Sequence, residues 1–314
     1  MGDQLSLRIN GITNLTILAM LLLASSIFAF AQAEKPAAPQ PMPSEWKPVE
    51  DAMGRSGQMQ PGDVIKFAMP RKDLKVTVND VNVKPGLALG SWAAFKRDGN
   101  SAMVMGDLVL TEDEVEPVMM KLQREGIQQT AVHNHLLHES PRIMYMHIAG
   151  HGDPAQMAKA IHDALALSKT SGPDKTPVPA TPTDLGFDQK QVEQILGHTG
   201  KVNSGILQVA VPRGEKINDS GMEVPPSMGV ATALNFQPTG GGKAAITGDF
   251  VLLGKEVNPV IKALRENGIE VTALHSHMLT EEPRLFFMHF WSNDDAVKLA
   301  RGLRAALDNT NSAK

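Results

Sequence analysis

The chain has 314 residues, a formal net charge of -4 at pH 7 and a pI of about 6.2, so it offers no basic footprint for nucleic acid. It contains no cysteine, which excludes disulfides, thiolate metal sites, a catalytic thiol and a lipid on an N-terminal cysteine. Aromatic content is only 4%, and 17 methionines supply flexible apolar filler in their place.

Residues 1–33 read as an export signal, with Arg8 in a short polar start, the apolar run Ile17 to Phe30, and small residues spaced for cleavage at Ala31-Gln32-Ala33. The apolar run is shorter than the ~20 residues a spanning helix needs. The reading therefore expects no membrane span after cleavage and a periplasmic or secreted protein, an uncleaved anchor being the alternative. Residues 34–43 form a proline-rich tether and residues 169–183 a proline-rich linker, both too dense in proline for a packed element. Folded units are expected at 44–168 and 184–308, with a tail at 309–314. Two domains suit a mature length of roughly 280 residues.

The same elements are predicted twice. A helix at Val49 to Met53, or Gln191 to Leu196, precedes a strand at Val64 to Met69, or Ile206 to Val211. Further β-type segments follow at Leu87 to Lys96 and Gly229 to Phe236, then strands carrying a Gly-Asp pair at Met103 to Leu110 and Ala245 to Leu253. The glycines of Gln237 to Lys243 suit a hairpin turn. Helices at Glu112 to Glu125 and Lys255 to Asn267 each stop at a glycine, Gly126 or Gly268. A histidine-bearing hairpin comes next, and helices at Pro154 to Leu167 and Ala296 to Leu307 close the units. The order β-α-β-β-α predicts an α+β fold, two tandem duplicated domains each with a mainly antiparallel sheet and helices on one face.

From Met103 to Leu165 the chain aligns with itself at an offset of 142 without a gap, and 25 of those 63 positions are identical. This internal repeat identifies the recurring histidines. His133, His135 and His147 recur as His275, His277 and His289. Residues two apart on a strand share a face, so each H-x-H pair is a chelating pair in outline. Whether His147 and His289 join depends on hairpin register, because a one-residue slip turns a side chain to the other face. A five-residue connection, 138 to 142, would place His133 opposite His147.

Three imidazoles on one face suit a transition metal, zinc first and copper second, and leave a position for water or substrate. Hydrolysis is then the first reaction to test, with Glu139 or Glu281 as general base and Arg142 or Arg284 holding a small anionic ligand. Each arginine could equally pair with its neighbouring glutamate. Asp107 and Asp249 follow a glycine inside a strand, where a carboxylate is costly unless paired or ligating, and a turn or helix-cap role is the plainer reading. His138 and His151 occur only in copy one, which makes it the richer chelator. The methionines around the histidines suit copper, although core packing explains them as well. The alternative to a metal site is a non-catalytic envelope binding or interaction module with structural histidines.

The pattern Thr-Ala-(Val/Leu)-His-x-His-x-Leu-x-Glu-x-Pro-Arg-x-x-x-Met-His resembles the LppY/LpqO-like family of exported bacterial proteins, built on a domain of unknown function. The resemblance covers nearly all of the mature chain, once per copy, and implies an exported duplicated domain without naming an activity. Lipoprotein members carry an acylated N-terminal cysteine, which this chain lacks.

Overall fold

The computed structural model describes residues 42–170 and 184–313. The expected export signal, nearly all of the tether and most of the linker lie outside the described residues. Copy one runs α1 (Lys47–Met53), β1 (Gln58–Gln60), β2 (Val64–Pro70), β3 (Val76–Val78), β4 (Val81–Val83), α2 (Pro85–Ala88), β5 (Gly90–Asp98), β6 (Ser101–Thr111), α3 (Glu112–Arg124), β7 (Gln128–His133), β8 (Glu139–Ser140), β9 (Ile143–Gly152) and α4 (Pro154–Leu165). Copy two runs α5 (Gln189–Leu196), β10 (Lys201–Asn203), β11 (Ile206–Pro212), β12 (Ile217–Asp219), β13 (Met222–Val224), β14 (Ala231–Gly240), β15 (Lys243–Leu253), α6 (Gly254–Glu266), β16 (Glu270–His275), β17 (Leu285–Asp295) and α7 (Ala296–Leu307).

Each copy builds one six-stranded sheet, in the orders β1-β2-β5-β6-β9-β7 and β10-β11-β14-β15-β17-β16. All neighbouring strands in both sheets pair antiparallel. The fold is therefore α+β with two tandem domains, as the repeated order of elements predicts.

Local chemistry explains the boundaries. The Glu114 carboxylate accepts the Thr111 backbone N–H and closes a capping box at the start of α3. At its end Gly126 adopts φ +78°, Ile127 N–H donates to Leu122 and Gly126 N–H to Gln123. This paired closure recurs at Gly268, where Ile269 reaches Leu264. The strand expected from Leu87 begins later, at Gly90, because Pro85 occupies the first position of a short helix.

Strand β6 shows what covers the sheet. Residues 102 to 110 are all buried, and their side chains alternate between two cores. Ala102, Val104, Leu108 and Leu110 join the residues of α1, α3 and α4. Met103 and Met105 point the other way and pack with Met228, Val251, Met278 and Phe287 of copy two. Val109 and Tyr145 share a further cluster with Ile206 and Trp291. Helices thus cover the outer face of each sheet, and the inner faces pack on each other. At about 1.5–3 kcal/mol for each large apolar side chain fully buried, these shared clusters join the copies into one cooperative body.

One buried ion pair recurs under each sheet. Arg71 is fully buried and reaches Glu114 at 2.6 Å, the Val109 carbonyl at 2.9 Å and Asp73 at 2.8 Å. Arg213 repeats this with Glu256 at 2.8 Å, the Val251 carbonyl at 2.6 Å and Glu215 at 2.9 Å. Glu114 and Glu256 also accept the N–H groups that open α3 and α6, so one carboxylate ties the first helical turn to the sheet.

Candidate metal centre

The histidine hairpins come together where the inner sheet faces meet. In β7 and β9, His133 pairs with Tyr145 and Ala131 with His147; in copy two, His275 pairs with Phe287 and Ala273 with His289. The register therefore differs by two residues from a five-residue connection. A shift of two preserves the face, and all three histidines of each copy point inward. His135 and His277 sit just past the ends of β7 and β16, and their rings still lie 5.0 and 4.8 Å from those of His133 and His275.

The six imidazoles form one cluster, not two. His133 lies against His275, with the rings tilted and their centroids 3.7 Å apart, while His135 stacks on His289 at 3.8 Å and His147 on His277 at 3.6 Å. Under the offset of 142 the first pair maps onto itself and the other two exchange, so a pseudo-twofold axis passes between His133 and His275.

Two carboxylates complete the cluster. Asp107 lies in mid-strand on β6, opposite His147 on β9, and Asp249 lies on β15 opposite His289. Neither sits at a turn or helix cap, which corrects that reading. Asp107 oxygens lie 3.9 Å from His135 Nε2 and 3.9 Å from His147 Nε2. Asp249 oxygens lie 3.5 Å from His277 Nε2 and 3.8 Å from His289 Nδ1. Four combinations place ligand atoms within 4.8 Å of one another: His133 with His147, His275 and His277; His133 with His135 and His289; Asp107 with His135 and His147; and Asp249 with His277 and His289. The extra histidines of copy one contribute nothing here, since His138 is exposed and His151 pairs with Asp98 at 2.9 Å, so copy one is not the richer half.

Burial sets the electrostatics. Desolvation pushes His133 down to about 4, His275 to about 2 and His289 to about 3, and holds His135, His147 and His277 well below the usual imidazole range. The same desolvation raises Asp107 to about 7 and Asp249 well above the carboxylate range, Asp249 being raised further by Asp107. The rings are therefore neutral and offer lone pairs. His289 Nδ1 donates to the Gly248 carbonyl at 2.8 Å, which fixes its tautomer and turns Nε2 inward as an acceptor.

Those lone pairs have nowhere to go among protein atoms. Asp107 Oδ1, Asp249 Oδ1, Nε2 of His133, His135, His147 and His289, and Nδ1 of His275 are buried without a hydrogen-bond partner. Buried polar atoms are nearly always satisfied, and seven orphans on one cluster are what a cation-binding set looks like from the protein side. Tyr145 stacks on His135 at 3.3 Å and Phe287 on His277 at 3.6 Å, while the Tyr145 hydroxyl donates to the Ala88 carbonyl. Thr272 Oγ1 donates to the His135 carbonyl at 2.6 Å, pinning one copy's loop to the other's strand. A cavity of about 10 Å³, about the size of one water, lies against His147 and His277 and is lined also by Trp92, Met105, Met228 and Phe287.

The carboxylates and arginines singled out in the loops stand apart from these ligand groups. Glu139 Oε1 accepts the Ile143 N–H at 3.0 Å, its Oε2 is buried without a partner, and desolvation raises it to about 7. Glu281 accepts the Leu285 N–H at 2.9 Å and pairs with Arg284 at 3.2 Å. Arg142 is exposed, with Glu112 at 3.9 Å. Of the methionines, Met103 and Met105 line the inter-copy core and Met146 the helix-side core.

A family model described as Domain of Unknown Function (DUF1259) matches residues 47–167 and again residues 190–309. No curated protein matches the chain. Among solved structures, the crystal structure of EtuB from Clostridium kluyveri is 8% identical over 80% of this chain and 89% of that chain, with a TM-score of 0.19. The crystal structure of a trimeric bacterial microcompartment shell protein PduB is 15% identical over 82% of this chain and 95% of that chain, with a TM-score of 0.20. Superpositions that loose carry no argument about fold or function.

Proposed function

The chain belongs to the family of the Domain of Unknown Function (DUF1259), whose domain it carries twice, and from that premise we propose that it binds a transition metal between its two copies. The observation that carries the proposal is the set of buried, unpartnered nitrogen and carboxylate atoms on His133, His135, His147, His275, His289, Asp107 and Asp249. His277, with its Nε2 2.8 Å from His275 Nε2, completes the donor set. Neutral imidazoles with carboxylates suit zinc first and copper second among borderline ions. The test is zinc retention after dialysis, which the wild type keeps and a His133→Ala, His135→Ala, His275→Ala, His277→Ala variant loses.

Metal-dependent hydrolysis is the second reading. One observation favours it: the buried, unpartnered Glu139 Oε2 with a pKa raised to about 7 has the character of a general base. Arg142 or Arg284 would then hold a small anionic substrate. The narrow cavity at His147 and His277 favours binding over turnover of a bulky substrate. A non-catalytic envelope module with structural histidines predicts paired imidazole nitrogens, whereas five of the six histidines each carry a buried nitrogen without a partner. The residue pattern supports an LppY/LpqO-like relationship, and the segment ending at Ala31-Gln32-Ala33 supports export to the periplasm or beyond. No helix among the described residues is long and apolar enough to cross a membrane.

A further inference from the structure

We infer that the cluster is a two-ion centre, one divalent first-row ion held by Asp107, His135 and His147 and a second by Asp249, His277 and His289. This rests on the metal-binding reading above. Each set is a two-histidine, one-carboxylate triad drawn wholly from one copy. In each, the aspartate and a histidine sit directly opposite on adjacent strands, and the other histidine arrives from the hairpin loop.

The spacing fits a shared ion better than a hydrogen bond. The carboxylates lie 3.5 to 3.9 Å from Nε2 of His135, His147 and His277, too long for good hydrogen bonds. Two ligands about 2.0–2.2 Å from one ion lie about 3 to 4 Å apart, depending on the angle between them. Eight donor residues also exceed what one ion takes, since first-row ions accept four to six ligands. A single ion in the four-histidine group would leave both carboxylates unpartnered. The two triads instead assign one carboxylate to each ion. His133 and His275, on the pseudo-twofold axis, belong to neither triad and lie between them, where either ion can take an additional nitrogen.

The mixed nitrogen and oxygen donor set matches divalent zinc or iron, and the cuprous ion, which prefers soft sulfur ligands, is a poorer fit. Such triads leave coordination positions open, and the cavity beside His147 and His277 has room for one water-sized ligand.

The experiment is zinc stoichiometry by elemental mass spectrometry on the full mature chain after zinc loading and dialysis. The wild type should hold two equivalents, Asp107→Asn and Asp249→Asn one each, and the double variant none. His135→Ala and His277→Ala make the same test from the imidazole side and keep it decisive if an aspartate variant fails to fold. One equivalent in the wild type, or two that survive the aspartate and histidine changes, would overturn the two-ion centre while leaving metal binding intact. No zinc in the wild type would overturn both readings.

Discussion

His133 and His275 occupy equivalent positions in the two copies and face each other across the inter-copy interface, with ring centroids 3.7 Å apart. An axis through a contact between equivalent residues makes the centre a property of the pair of domains. His133→Ala combined with His135→Ala should therefore do more than empty one half. It should release the ion on the copy-one side and weaken the remaining one by roughly 10–100-fold, the scale of losing a supporting ligand. Zinc titration with circular dichroism as a fold control checks this; unchanged affinity at the second site would show two independent sites.

Gly248 places Asp249 by letting β14 come close. A Cβ there would sit 1.8 Å from the Ala233 carbonyl oxygen, whereas at Gly106 it would sit 2.7 Å from the Trp92 carbonyl. Gly248→Ala should destabilise the protein by at least about 1–3 kcal/mol, the usual range for overpacking, and by more than Gly106→Ala. Thermal denaturation of the two variants measures the order, and an equal melting temperature for Gly248→Ala and wild type would contradict it.

Arg71 and Glu114 form a buried pair whose partners have no water to fall back on. Glu114→Ala should cost no more than about 3–5 kcal/mol, the scale of a broken buried pair, because Asp73 still holds the buried guanidinium through two hydrogen bonds. Glu256→Ala should cost a similar amount through Arg213. Urea denaturation measures both.

The same carboxylates set an acid limit. Desolvation opposes ionisation of Glu114 and Glu256, but hydrogen bonds from Arg71 and Arg213 and from backbone N–H groups prevail, and both are held below the usual glutamate value. A folded-state pKa below the unfolded value gives stability that is present above about pH 4.3 and lost as pH falls through the folded value. Unfolding midpoints should therefore decline below about pH 4, and the decline should be shallower in a Glu114→Gln, Glu256→Gln variant. Parallel declines would remove these pairs from the account.

Each copy depends on the other for cover. Residues 42–170 expressed alone would expose Met103, Met105, Val109 and Tyr145, all now packed in clusters shared with copy two. The isolated copy should self-associate through this face, as gel filtration would show, since apolar patches of that extent are seldom left in water. A well-behaved monomer would mean that the inner faces contribute little.

The repeat made much of this legible. The glycine stops at Gly126 and Gly268, the Gly-Asp strands and the equivalence of the histidines follow from residue type and spacing alone. What lies across the interface leaves no mark within a single copy. Asp107 and Asp249 carry the same offset as the histidines, yet a lone carboxylate after a glycine looks like a turn until the strand opposite is known to present His147 or His289. His138 and His151 enriched copy one on paper, but they lie away from the cluster. The Arg71 and Arg213 pairs left no signal beyond their common offset, since 43 residues separate each arginine from its glutamate. Nothing in one copy's periodicity announces that its inner face is covered by the other.

The most direct test is elemental mass spectrometry of the chain from residue 34 onward, purified without a histidine tag and incubated with zinc or copper. A variant lacking His133, His135, His275 and His277 is measured alongside. Two bound equivalents are expected in the wild type and none in the variant. No retained metal in the wild type, with either ion, would contradict this and make the six histidines part of the fold alone.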